Sequence, residues 1–354
     1  MSPVVSPRMD DSHYEIHIDP TVVMEHWRSI KSDPKFFFQS PEWITSLIGQ
    51  TGDDSILISF TDHDQPVLVT HLLKSTFKRF NVGLKIISAP GSLSGFGLFA
   101  DGLFDKGFGE VALADIVANA GAWHVLRLER LRLGSPWLTM KGVAGKFEDE
   151  PSQGVGVLDT NRDPETWRNQ LPKNMRHSVA KARARAERVG GVSIETETGL
   201  GVLDAFNQYV ALEATQKKGL WGSSLSQKPR NLRLLRDYLT SVETSQVRRL
   251  FIDGRLAACQ LSVVVNRTLF LLNIAYDEKQ AHLSPGNLLM ADLVESCCKD
   301  PSIDRIDCTV WQPWHQRWGM VREPTFTFTA FNSRSIKGRA VGIAWPLRRY
   351  LLKQ

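Results

Sequence analysis

Apolar positions recur along the chain at two spacings, every second residue in some stretches and every third or fourth in others, and the switches between them mark its elements. In the first half, alternation predicts strands at Tyr14 to Ile18 and in "SILISF", "PVLVTHLL", "LKIIS" and "WHVLRLERL", with the polar turn "TDHDQ" joining the second and third. Helical spacing follows Asp19-Pro20 in "TVVMEHWRSI" and Ser40-Pro41 in "EWITSLIG", both cap-and-proline starts, and returns in "FGEVALADIVANAG" after the Gly-rich loop "GSLSGFGLFADG". The acidic, Gly-bounded segment Gly145 to Gly154 reads as a linker.

The second half repeats this plan more clearly. A helix over Asn174 to Val189 puts Met175, Val179, Ala182, Ala186 and Val189 on one face and stops at Gly190-Gly191. The short strand "VSIET" is followed by two helices around "VLDAFNQYVALEATQKK" and "PRNLRLLRDYLTSV". Three β runs come next, "QVRRLFI", "RLAACQLSVVV" and "TLFLLNIAY", joined by Asp253-Gly254, a strong hairpin signal, and by the less decisive Asn266-Arg267. A helix beginning at "SPGNLL", the strand "DRIDCTV", a short helix and the strand "TFTFTAF" complete the unit. The expectation is an α/β (α+β) protein of two tandem units, 1–150 and 151–335, each a mixed, mostly antiparallel sheet flanked by helices, with a basic C-terminal helix over 336–354.

Composition narrows this picture. A chain of 354 residues exceeds the size at which one core stops growing. Its charged share of 23% against 42% apolar excludes disordered and fibrous classes. Lys and Arg outnumber Asp and Glu by 43 to 38, which suits anionic ligands without demanding nucleic acid. Cys259, Cys297, Cys298 and Cys308 lie in apolar surroundings without CxxC spacing, against a zinc ribbon or disulfide framework, and no His/Asp/Glu spacing points to a metal. With no signal-peptide core in "MSPVVSPRMDDSHYEI" and no run long enough for a bilayer, a cytoplasmic protein is expected.

Five stretches, "FFFQSPEW", "LPKNMRHSVAKARARAERVGGV", "LFIDGRLAACQLSV", "AYDEKQAHLSPGNLL" and "IDCTVWQPWHQRW", together with the element order, resemble the CelD-like branch of the GNAT superfamily, tandem acyltransferases related to FemAB. The resemblance implies transfer of an acyl group to an amine, with the donor held by the second unit. Ordinary GNAT enzymes use acyl-CoA as donor and FemAB relatives use aminoacyl-tRNA.

On this reading Ser284, Gly286, Asn287, Leu288 and His282 are candidates for donor binding. Ser284 would cap a helix whose first residue is Pro285, Gly286 would let the backbone approach a pyrophosphate, and unpaired first-turn N–H groups would receive it. The GNAT pattern expects a second small residue where Leu288 stands. The helix from Asn174 carries Lys173, Arg176, Lys181, Arg183, Arg185 and Arg188, either a solvated face or a ledge for phosphates, including those of tRNA.

Asp307, at the end of a strand, and His315 are candidate proton acceptors, Tyr276 a candidate proton donor to a leaving thiolate, and Glu213 a further catalytic candidate. Trp311, Trp314, Arg317, Asp277 and Lys217 are candidates for holding substrate. There is no Gly-x-Ser-x-Gly elbow, so direct attack by the amine is expected, the strand edge polarising the carbonyl. The leading expectation is an N-acyltransferase using acyl-CoA or a related thioester on a small-molecule or envelope-related amine. Its alternatives are an aminoacyl-tRNA-dependent transferase and a non-catalytic binding module in polysaccharide or envelope synthesis. The amphipathic C-terminus, with Trp345, Leu347, Tyr350 and Leu351 beside Arg348, Arg349 and Lys353, would suit a peripheral membrane contact.

Overall fold

At Asp19-Pro20 the chain turns from strand into helix because the Asp19 carboxylate accepts the N–H groups of Thr21 and Val22, at 2.9 and 3.3 Å, and Pro20 needs no partner for its nitrogen. The computed structural model describes residues 14–31, 33–51, 54–79, 82–88, 102–104, 122–139, 145–149, 154–216 and 224–351. They form two units, one of Met1–Pro34, Phe38–Gln153 and Pro324–Gln354, the other of Lys35–Phe37 and Gly154–Glu323. The Gly-rich loop through residue 101, the helix expected from Phe108 and Lys217 lie outside the described residues, as do the side chains from Trp345 onward on which the membrane contact was argued.

The first unit contains β1 (Tyr14–His17), α1 (Pro20–Ser29), α2 (Pro41–Thr51), β2 (Ser55–Asp62), β3 (Gln65–Arg79), β4 (Val82–Ser88), β5 (Leu103–Phe104), β6 (Val125–Arg132) and β7 (Gly145–Asp149). Its sheet runs β1-β2-β3-β4-β6, then a strand from the far end of the sequence, then β7, with β5 beside β3. Among the described residues only β4 and β6 in this sheet pair in parallel. Ile58, Phe60, Leu68, Leu126, Leu128 and Trp137 fill the core.

The second unit contains β8 (Val155–Asp159), α3 (Pro164–Gln170), α4 (Lys173–Val189), β9 (Val192–Thr198), α5 (Val202–Ala214), α6 (Pro229–Ser241), β10 (Ser245–Ile252), β11 (Arg255–Val265), β12 (Thr268–Tyr276), α7 (Pro285–Lys299), β13 (Arg305–Cys308) and β14 (Val321–Glu323). Its sheet order, β14-β8-β13-β12-β11-β10-β9, mirrors that of the first unit, and again one central pair, β12 with β13, is parallel. The remaining elements are β15 (Thr325–Phe331) and α8 (Ile336–Leu351). Among the described residues no helix is long and apolar enough to cross a membrane.

Three hairpins turn through two left-handed residues each: His63-Asp64, Asp253-Gly254 and Asn266-Arg267, with φ between 45 and 69°. Such turns match the twist of the strands they join. Arg267 is a poor residue for that conformation and is held in it by two bonds to Asp304, at 2.5 and 2.6 Å.

Two expectations change here. Gly145 to Gly154 is not a plain linker, since Gly145–Asp149 forms β7. β15, expected within 151–335, hydrogen-bonds instead between β6 and β7 of the first sheet. Its alternating pattern suits any half-buried strand, so the sequence carries no mark of which sheet receives it.

Candidate active site

The parallel pairing of β12 with β13 lasts only from Thr268–Arg305 to Phe270–Asp307. Beyond it β12 continues to Tyr276 while the other chain turns away at Cys308, so the two strands part into a notch. A cavity of about 620 Å³ opens there. Its walls are Leu271 to Ile274 and Tyr276 on one side and Cys308 to Val310 on the other, with Gly286, Asn287 and Met290 of α7 above.

The edge of β12 that faces the notch can be read from its register. The Asp277 N–H donates to the Ala257 carbonyl at 2.8 Å, and bonded pairs alternate along an antiparallel ladder. Ala275 therefore bonds to Cys259, whereas Ile274 and Tyr276, opposite Gln260 and Ala258, turn their N–H and C=O groups away from β11 and into the notch. Two carboxamides meet them. Gln216 Nε2 donates to the Tyr276 carbonyl at 2.8 Å, and the Ile274 N–H donates to Asn273 Oδ1 at 3.1 Å. A bulge between Leu261 and Ser262 leaves Leu272 as the extra residue on β12 at this point.

His315 closes the far wall. It is buried, with Trp314 edge-on at 4.1 Å and Trp311 at 5.5 Å, and its ring lies against Gly156, where a Cβ would stand 2.4 Å from Nδ1. The Gln312 N–H donates to Nδ1 at 3.1 Å, so Nδ1 is the acceptor and Nε2 carries the proton of the neutral ring. Burial lowers its pKa to about 4, keeping it neutral at pH 7. The sequence suggested a proton acceptor; the geometry makes His315 a hydrogen-bond donor through Nε2.

Residues 173–310 match the family model described as an acetyltransferase (GNAT) domain. The crystal structure of FemX is similar over 90% of this chain and 97% of its own, at TM-score 0.63 and 11% identity. The C-terminal domain of a lysylphosphatidylglycerol synthetase from Agrobacterium fabrum aligns over 93% and 98%, at 0.55 and 11%. A tandem GNAT protein from the clavulanic acid biosynthesis pathway aligns over 90% and 98%, at 0.50 and 12%. Residues 173–310 thus carry a GNAT domain, and the fold of the chain is that of tandem GNAT proteins. At these identities the structural likenesses are of fold, and among curated proteins no sequence match reaches significance.

In this GNAT domain Tyr276, Gly286, Asn287, Trp314 and His315 come together around the notch, and Trp311 packs edge-on against the His315 ring. The other candidates stand elsewhere. Asp307 is fully buried and pairs with Arg305 at 3.7 Å. Side chains alternate along a strand, so with Cys308 on the notch side Asp307 points to the opposite face. Glu213 is buried on α5 and accepts the Leu225 N–H at 2.7 Å and the Tyr209 hydroxyl at 3.2 Å, which ties down the turn at 225–227.

At the start of α7, Ser284 is left-handed, with φ 53° and ψ 50°, and its side chain makes no cap bond. Pro285 has no N–H, and those of Asn287 and Leu288 both bond to the Ser284 carbonyl, at 3.0 and 3.2 Å. Gly286 is left as the first-turn donor without a bond inside the chain among the described residues, far short of the expected cradle. The Leu288 side chain is core, packed with Ala182, Ala186 and Leu289. His282 and Arg317 are exposed and off the cavity wall. Asp277 accepts the Lys279 N–H at 2.9 Å and a Gln280 amide bond at 3.0 Å, which shapes the loop before α7.

The sequence did not single out Gln216, Asn273 or Glu278, all of which line the notch. Asn273 interrupts the apolar run "TLFLLNIAY", and that was the one signal available for it.

Proposed function

We propose that the second unit transfers an acyl group from an activated donor to an amine, with the reacting carbonyl in the notch between β12 and β13. The observation that supports this is the edge of β12, where the Ile274 and Tyr276 backbone groups face a cavity that His315 also lines. An extended donor arm carrying amides could bond along that edge, and a preorganised N–H could stabilise the oxygen as it gains charge. The amine nitrogen bonds to the carbonyl carbon, the amine proton passes to Glu278 on the cavity wall or to water, and the C–S or C–O bond to the donor breaks as the departing sulfur or oxygen takes up a proton from the same source. Glu278 takes the part expected of Asp307. A cytoplasmic site of action and an envelope-related amine acceptor accompany this reading, the latter suggested by a neighbour named for lysyl phosphatidylglycerol.

A specific observation favours aminoacyl-tRNA over acyl-CoA as donor. Lys173, Arg176, Lys181, Arg183 and Arg188 of α4 are exposed, and among the described residues none is in an ion pair, whereas the start of α7 offers a pyrophosphate a single N–H. Calorimetry with acetyl-CoA, a longer acyl-CoA and charged tRNA distinguishes the donors. A thioester complex weakened by Gly286→Trp supports CoA. A salt-sensitive tRNA complex lost on reversing Arg176 and Arg183 to Glu supports tRNA. If no donor binds and none is turned over, acyl transfer at this notch is refuted.

A further inference from the structure

If the notch is the acyl site, as proposed, the Ile274 N–H is the strand-edge donor that would meet the acyl oxygen, yet that N–H already has a partner. That partner is the side chain of the preceding residue, Asn273, whose carboxamide oxygen lies 3.1 Å away. Three features make the contact more than incidental. It occurs just past the Leu272 bulge, beyond the last parallel pair, Phe270 with Asp307, where β12 has lost its neighbour. It engages an N–H that the ladder register turns into the notch. Both residues line the cavity.

We propose that the Asn273 carboxamide is a displaceable guard on the Ile274 N–H, holding that donor in place until the acyl oxygen of a donor substrate takes it over. An unpartnered N–H inside a half-buried notch would be unfavourable, and a strand edge without a partner invites pairing with another chain. A neutral carboxamide answers both needs and still leaves readily. The bond is uncharged, its length is near the upper end of the normal range, and rotation of one side chain breaks it without moving the strand. A carboxylate in the same place would hold the N–H more strongly and oppose the negative charge that develops on the acyl oxygen. Asn273 is thus a positioning residue: it preserves the direction of the Ile274 N–H and competes with the substrate for it.

The test joins amide exchange with kinetics. In Asn273→Ala, hydrogen exchange at the Ile274 amide, followed by NMR of the whole chain, should quicken by about 2- to 10-fold, the worth of one net neutral hydrogen bond. The KM for whichever of acetyl-CoA or charged tRNA serves as donor should fall by a similar factor, since nothing then has to be displaced. Asn273→Asp should slow that exchange, raise KM and lower kcat. Unchanged Ile274 exchange in Asn273→Ala, or a KM that rises instead of falling, overturns the guard. The exchange measurement needs no substrate, so failure of every donor to bind would refute acyl transfer at the notch while exchange still decides whether Asn273 protects Ile274.

Discussion

Gly156→Ala tests whether the His315 ring owes its place to the absence of a side chain beneath it. Gly156 sits inside the sheet, opposite Cys308 of β13 and Arg322 of β14, so its backbone has no room to retreat. A Cβ there would stand 2.4, 3.0 and 3.2 Å from Nδ1, Cγ and Cε1 of His315, and the ring would have to move. Overpacking of this kind costs about 1–3 kcal/mol, and losing the bond from the Gln312 N–H adds about 1 kcal/mol. The combined destabilisation of the second unit is then roughly 2–4 kcal/mol, readable in urea unfolding followed by circular dichroism. On the proposed function, a shift of about 1 Å in the His315 ring should cost on the order of 100-fold in rate. The double-mutant cycle with His315→Ala isolates the cause. With the ring removed, Gly156→Ala should be nearly neutral, giving a coupling of about 2–4 kcal/mol; additivity within about 0.5 kcal/mol would refute the contact as the source of the effect.

The remaining expectations concern residues whose roles the structure changed. His315, with its pKa lowered to about 4, refuses in the folded state a proton that the unfolded chain takes up near pH 6.5, so the stability it lends is complete above pH 6.5 and lost as the pH falls towards 4. That contribution is about 3 kcal/mol, and unfolding titrations of His315→Asn should show a flatter acid limb than wild type. Glu213→Ala should cost about 1–3 kcal/mol by leaving the Leu225 N–H unpaired, with no change in the pH dependence of turnover; a shifted pH profile would return Glu213 to the chemistry. Leu288→Ala should destabilise by about 2–5 kcal/mol, as expected for a core leucine, and a change confined to donor KM would contradict that placement.

Much of the fold could be read from local chemistry, because caps and turns act over a few residues. Asp19-Pro20 and Asp253-Gly254 do in three dimensions what their side chains and allowed φ values dictate. Asn266-Arg267 was weaker in the sequence because what holds Arg267 left-handed, Asp304, lies 37 residues away. The candidate site was legible where a residue type had its own chemistry, as with Tyr276, Gly286, Trp314 and His315. It was obscure where the face of a strand decided the matter. Asp307 and Cys308 are neighbours in sequence, and only the phase of β13 tells which one meets the cavity. Gly156 looked like any glycine in "QGVGVLD", since its importance comes from a ring 159 positions further on, counted from 156 to 315. Asn273 was passed over because its value lies in a backbone edge that no spacing rule reveals, and Glu278 because only the fold brings it to the cavity wall.

The placement of β15 also sets an order of events during synthesis. β7 is joined to its sheet through β15, and β15 leaves the ribosome only after the whole segment Gly154–Glu323. At ~5–20 residues per second the earlier strands wait roughly 10–35 s for their last partner. The part of the protein made first is therefore the part finished last, with the edge of β6 the place where nascent chains would be caught by a chaperone or by one another.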